Sequence, residues 1–319
     1  AISDAEALGL LRTILPEVTA MMGVAQSPPH HLDVYEHTLA TMRYAVEIRQ
    51  WLCSDHIDAQ PQNEWQSALR PWRAPLHRHF MRSTAGGRQH ADWLLWHALL
   101  HDIGKPETQT EVAISQPETG METATATEME AKAGFGADGG VRLRFFEHES
   151  VGATMAAARL AHLRFSRQEI VLSRDVIEAH MRPHHLHASF ADAPISRRAL
   201  YRFVRDVGGR KGEATAIDTA MLALADVHAV YEGMPPSWPE YLDHIAQIVG
   251  YVFDDHGLQD VRRRPLLDGH TLMAHLDLEP GRSVGTLMGK QMEAQAAGDV
   301  ETVDEALSLA SDLWEEMEE

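Results

Sequence analysis

The side chains in this sequence with the chemistry of metal ligands sit where polar groups are out of place. His37 lies in "DVYEHTLATM", His101 and Asp102 in "LLHDIGK", His148 in "FFEHESVGA", His180 in "VIEAHMRP" and Asp226 in "MLALADVHAV". Imidazole and carboxylate together suit a hard or borderline divalent ion, provided several helices each deliver a ligand to one point. Asp226 is the most pointed of the set, because a carboxylate in so apolar a helix needs a strong partner. Each residue also has a plainer reading on its own. His37 fits a hydrogen-bonded helix histidine, His148 a helix cap, and His180 a helix end before Arg182 and Pro183. Asp226 fits an ion pair with Arg202 or Arg205.

The elements that must position these residues read as helices, with apolar residues spaced three and four apart. Residues 32–52 place Tyr35, Leu39, Met42, Val46 and Trp51 near one face, with Asp33 as N-cap. The same period predicts helices over 91–101, 147–162, 167–181, 196–207, 213–231 and 238–255, so the fold class is all-α. Two stretches interrupt it. Residues 54–90, with Pro61, Pro71, Pro75 and "AGG" at 85–87, read as a helical excursion with loops. Residues 107–146 begin with "ETQTEVAI" and end near "VRLRFF", which alternate like strands, around an acidic Thr/Ala/Gly-rich middle. A two-stranded hairpin with a long mobile tip, residues 115–138, is expected there. The expected organisation is one domain over 1–260 carrying both insertions, followed by a small helical module over 261–319. "EPGRSVG" and the capping pattern "TVDEA" open two helices of that module.

Composition narrows the function classes. The 319 residues include 47 acidic and 28 basic side chains, a formal charge of −19, which disfavours tight nonspecific binding to a nucleic-acid backbone. Cys53 is the only cysteine, which excludes an internal disulfide and any multi-cysteine zinc or iron–sulfur site. The sequence contains neither a signal-like leader nor about 18 uninterrupted apolar residues. The expectation is therefore a soluble cytoplasmic protein with no membrane contact.

The order His, His-Asp, His, His, Asp across successive helices resembles the HD superfamily of metal-dependent phosphohydrolases. Within it, "HHLDVYEHTLATM", "LLHDIGKPETQT", "RFFEHESVGA", "LYRFVRDVG", "LALAD" and "PLLDGHTLMAHLDLEPGRSVG" are similar to the HD-containing C-terminal half of bacterial CCA-adding tRNA nucleotidyltransferases. The resemblance implies an HD-type helical bundle. It also implies that His37, His101, Asp102 and Asp226 hold one metal, and that Asp102 bridges to a second completed by His148 and His180. One or two divalent ions (Mn, Fe, Ni, Co or Mg) are thus the expected cofactor. Neither a Gly-Ser motif with paired catalytic aspartates nor an arginine-rich nucleotide-selecting stretch is present, so polymerisation by this chain alone is not expected.

A metal-bound water acts as hydroxide near neutral pH, and the same ion neutralises phosphate charge, which suits phosphoester hydrolysis. Asp102 is central to that chemistry. Lys105, four residues after His101, has the reach to meet a phosphoryl oxygen, its alternative being a solvated lysine at a helix end. Arg202 and Arg205 are further candidates for phosphate contact, although a structural ion pair is the favoured alternative for both. His97 shares a helix face with His101 but is read as a bystander. His184, His185 and His187 are placed beyond the helix that ends near His180, at least two of them on the surface. "GGRKGE" at 208–213 reads as an interhelical turn. Two functions follow. One is a hydrolase acting on a phosphomonoester or phosphodiester: a nucleotide, a 2',3'-cyclic phosphate or an RNA end. The other is a non-catalytic tRNA-binding or RNA-binding helical module with a structural metal and a separate partner. The sequence leaves substrate, metal identity and oligomeric state open.

Overall fold

The structure, a computed structural model, describes residues 2–113, 141–191, 193–208, 212–254 and 264–318. The first helices are α1 (Ile2–Ala7), α2 (Leu10–Ile14), α3 (Pro16–Ala20), α4 (Val34–Cys53), α5 (Glu64–Leu69), α6 (Arg73–Phe80), α7 (His90–Leu100) and α8 (Lys105–Thr108). Strands β1 (Gln109–Ala113) and β2 (Val141–Phe145) then pair antiparallel, with Gln109 opposite Phe145 and Ala113 opposite Val141. After them come α9 (His148–His162), α10 (Arg167–Ala179), α11 (Arg182–Ser189), α12 (Arg197–Gly208), α13 (Gly212–Val230) and α14 (Trp238–Phe253). The chain closes with α15 (Gly269–Leu276), α16 (Arg282–Ala297) and α17 (Val303–Glu318). The all-α class with one small hairpin is what the periodicity predicts. The expected hairpin tip and the centre of "GGRKGE" lie outside the described residues.

Helix α13 is the axis of the bundle, packing against α4, α7, α12 and α14. From Ala220 to Ala225 its side chains are all fully buried, which explains why its sequence is apolar on every side rather than on one stripe. Helix α7 is also covered on two sides. Ala91, Leu94 and Ala98 join the core around α13, whereas Trp93, Leu99 and Leu100 join a second core built with Leu11, Leu15, Val18 and Met21. Helices α2 and α3, which the sequence reading did not assign, exist to cover that second side. Leu267, Leu272, Val284, Leu287, Ala306 and Ala310 form a third cluster among the C-terminal helices, with α16 packed on α12. Among the described residues, no helix is long and apolar enough to cross a membrane.

The caps fall where their chemistry predicts. Asp33 Oδ1 accepts from the Glu36 amide at 2.7 Å at the start of α4. Glu305 Oε2 accepts from the Thr302 amide at 3.0 Å, and Thr302 Oγ1 from the Glu305 amide at 3.3 Å, closing a capping box on α17. The buried face of α4 differs from the expected one. Val46 is 38% exposed, and the buried stripe runs through His37, Thr41, Ala45, Ile48 and Leu52. An apolar-only count misses this stripe because its upper half is polar.

One glycine sets how closely the elements around residues 101–152 approach. Gly104 has an ordinary helical backbone, but a Cβ there would lie 2.2 Å from the carbonyl oxygen of His148 and 2.6 Å from the amide nitrogen of Gly152. Those contacts are backbone atoms and cannot swing aside. A Cβ on Gly152 itself would meet nothing nearer than 3.2 Å. We expect Gly104→Ala to destabilise the fold by about 2–3 kcal/mol, the upper range for overpacking, and Gly152→Ala by less than about 1 kcal/mol. Urea denaturation of the two variants measures the difference.

Candidate metal centre

His37 comes from α4, His101 and Asp102 from the end of α7, His148 from the first residue of α9, His180 from the end of α10 and Asp226 from α13. The fold brings all of them to one buried point, each at 6% exposure or less. On one side, His37 Nε2 lies 2.8 Å from Asp226 Oδ1 and 3.6 Å from Asp102 Oδ2. His101 Nε2 lies 3.2 Å from Asp102 Oδ2 and 3.6 Å from Asp226 Oδ1. On the other side, Asp102 Oδ1 lies 3.4 Å from His148 Nε2 and 3.9 Å from His180 Nε2, and those two nitrogens are 3.2 Å apart. The Asp102 carboxylate thus faces two groups of ligands, one with each oxygen.

The back of every imidazole is anchored in the same way. His37 Nδ1 faces the Ala229 carbonyl oxygen at 3.4 Å, His101 that of Ala98 at 3.0 Å, His148 that of Phe145 at 2.9 Å and His180 that of Ile177 at 2.7 Å. A carbonyl only accepts, so each Nδ1 carries a proton and Nε2 is the nitrogen turned inward, the atom a metal ligand offers once any proton on it is displaced. His37 Nε2 and His101 Nε2 are buried yet meet no partner in hydrogen-bond geometry among the described residues. Close atoms that are misaligned for mutual hydrogen bonds, yet converge, fit a divalent cation between them.

The electrostatics agree. Burial opposes charge on His101, but the Asp102 and Asp226 carboxylates outweigh it and push its pKa up to about 10. Burial likewise opposes ionisation of Asp102, and His101 and Lys105 reverse it, holding the carboxyl well below its usual range. Asp226 is held down against burial by His101, His184 and His37. In contrast, burial and the neighbouring His148 push His180 well below the ordinary imidazole value, which keeps it neutral. The centre attracts positive charge on one side and offers neutral imidazoles on the other.

Lys105 is part of this arrangement rather than a solvated helix-end lysine. It is 6% exposed, with Nζ 2.8 Å from Asp102 Oδ2 and donating to Gln26 Oε1 at 2.7 Å. Arg202 and Arg205 are not brought there, and the phosphate contact considered for them is corrected. Helix α12 turns Leu200, Tyr201, Phe203, Val204 and Val207 into the core, so the arginines fall on the face that meets α16. There Arg205 Nη1 lies 2.8 Å from Glu293 Oε1, and Arg202 Nε lies 3.9 Å from Glu293 Oε2. Of the histidines after Pro183, His185 is exposed at the cleft, whereas His184 and His187 are turned inward because α11 resumes at once. His184 Nε2 lies 3.1 Å from Asp226 Oδ2, with Tyr241 Oη 3.1 Å from its Nδ1, and His187 Nδ1 lies 2.9 Å from His244 Nδ1.

A cleft of about 350 Å³ opens onto Asp102, His148 and Asp226, with Lys105, Arg142 and Arg144 in its wall. His30, packed 5.2 Å from the His37 ring, and Gln26 also line it. Neither was singled out from the sequence, since "AQSPPHH" has no period. His184 follows His180 by four residues, a spacing that would have pointed to it had the intervening break not obscured the shared face.

A family model described as the HD domain matches residues 34–230. The chain is 28% identical over 302 residues to a CC-adding tRNA nucleotidyltransferase of Thermus thermophilus, covering 94% of this chain and 50% of that protein. It is 28% identical over 317 residues to an A-adding tRNA nucleotidyltransferase of Deinococcus radiodurans, covering 98% of this chain and 54% of that protein. The chain therefore spans about half the length of these relatives.

His97, fully buried beside Trp93, has neither ring nitrogen bonded among the described residues, and burial lowers its pKa to about 4. The unfolded chain binds that proton near pH 6.5, so the stability it supports is complete above about 6.5 and declines as pH falls toward 4, by about 3 kcal/mol. His97→Leu should remove its share of that decline and leave the slopes of His30, His148, His180, His187 and His228, all of which burial also lowers. Urea titrations from pH 4 to 7 in EDTA measure it.

Proposed function

The chain belongs to the HD domain family, and from that premise we propose that it is a metal-dependent phosphohydrolase. The observation that supports this reading above others is the Asp102 carboxylate, with one oxygen toward His37 and His101 and the other toward His148 and His180. His37, His101, Asp102 and Asp226 would hold one ion, and Asp102, His148 and His180 another. A bound divalent ion supplies hydroxide near neutral pH and neutralises phosphate charge. Lys105 holds Asp102 ionised and offers an ammonium at the floor of the cleft, where a phosphoryl oxygen would lie. Arg142 and Arg144 add guanidinium groups on the wall, suited to the non-reacting oxygens of a phosphoester.

The substrate is a phosphomonoester or phosphodiester, and the proposal extends to a nucleotide, a 2',3'-cyclic phosphate or an RNA end. The names of the two relatives, both tRNA nucleotidyltransferases, favour the RNA-related members of that set. They also favour a second reading, a tRNA-binding helical module in which the metal is structural.

Protein purified without chelator should contain divalent metal by elemental analysis. It should hydrolyse 2',3'-cyclic nucleotides, nucleoside monophosphates or an aryl phosphate with Mn, Ni, Co or Mg. Loss of an outer-shell partner alone costs 10–100-fold in such sites, so Asp102→Asn should lower kcat/KM by more than about 10²-fold. If wild type and Asp102→Asn are equally inactive on every substrate while tRNA binds at physiological salt, the hydrolase reading fails and the binding module stands.

A further inference from the structure

A second buried cluster lies outside the centre described above. His79 from α6, His90 from the first turn of α7 and Asp218 from α13 are each at 6% exposure or less. His79 Nε2 is 2.7 Å from Asp218 Oδ1, His90 Nδ1 is 2.9 Å from Asp218 Oδ2, and the two rings are 4.6 Å apart. One ligand atom from each residue lies within 4.8 Å of the others. Asp218 and Asp226 are eight residues apart on one helix, about 12 Å at 1.5 Å per residue, so no single ion serves both clusters.

We infer that His79, His90 and Asp218 form a separate structural metal site for a borderline divalent ion of the zinc or cobalt class. The donor set is two imidazoles and one carboxylate from three helices, with a different carboxylate oxygen turned toward each imidazole, the disposition of a chelating carboxylate. The pull that holds Asp218 ionised against its burial comes from His79 and His90. A purely structural hydrogen-bonded triad would be complete with those three residues. Yet His97, on the same helix as His90, is fully buried, has both ring nitrogens unbonded among the described residues, and interacts electrostatically with Asp218 and His90. A further buried imidazole without a partner is costly in a core and is accounted for beside a site that takes an ion.

Coordination requires His79 to keep its proton on Nδ1 and His90 on Nε2. For neutral rings this is a change of tautomer with no net proton loss. The ion would join α6 to α7 and α13, the two helices that carry His101, Asp102 and Asp226, and so fix their register from about two to three turns away.

The test uses the full chain with Asp102→Asn and Asp226→Asn together, which disables the phosphohydrolase centre. After chelator treatment and equilibration with Co(II) or Zn(II), elemental analysis should find close to one equivalent, with d–d absorption for cobalt. Adding Asp218→Asn should remove both signals, and zinc should raise Tm before but not after that change. If Asp218→Asn fails to fold, His79→Gln and His90→Gln in the same background give the same readings. No metal retained in the double variant, or equal metal with and without the third substitution, overturns the site.

Discussion

Two carboxylates, Asp102 and Asp226, buried at one point are the constraint from which the rest of this structure follows. A bare carboxylate in a core is costly, so the fold must deliver positive charge or strong donors to both. It does so from every direction. α4 supplies His37, α7 supplies His101, α9 and α10 supply His148 and His180, and Lys105 reaches back one turn to Asp102. The helices are held by two cores that share α7 as a wall, which fixes where the carboxylates sit at the base of the cleft.

The hairpin belongs to the same arrangement. The carbonyl of Phe145, the last residue of β2, orients the His148 ring, and Ser27 Oγ accepts from the Leu143 amide at 2.8 Å beside the loop that brings Gln26 to Lys105. Between Phe145 and His148 the chain turns through Glu147 at φ 59°, a left-handed conformation that a residue with a Cβ adopts only under local constraint. That corner and the bare backbone of Gly104 together bring α9 against the turn after Asp102. The insertion therefore contributes a wall and an anchor to the centre, although its strands bury little.

Much of this was legible in the sequence because the ligands interrupt helical apolar patterns. Asp226 among alanines and leucines and His101-Asp102 at the end of an apolar run are conflicts that local packing cannot explain, and such conflicts mark sites. What escaped the pattern escaped for physical reasons. Gln26 and His30 sit in an aperiodic loop, and His184 follows a helix break that hides its phase. The ion pair favoured for Arg202 and Arg205 had no identifiable partner in the sequence, because Glu293 lies about ninety residues away on a helix whose docking no local pattern encodes. The His79–His90–Asp218 cluster joins three helices by single residues, and no short motif contains more than one of them.

The acidic balance of the chain must be weighed against where its charges lie. A formal charge of −19 disfavours phosphate binding in the long range, but screening confines such fields to about 8 Å at physiological ionic strength. The cleft that opens onto Asp102 presents its own set. Lys105, Arg142 and Arg144 line it with His30, His184 and His185, against Asp102, Asp226, Glu147 and Glu149. Three basic side chains there stand nearly level with four acidic ones, a smaller acidic excess than 47 against 28 in the whole chain. On the proposed hydrolase reading, a small phosphoester meets that local field once it enters, whereas a long nucleic-acid backbone also meets the net acidic charge of the chain. On that reading the charge balance favours a short substrate or the end of a strand over a duplex bound along its length.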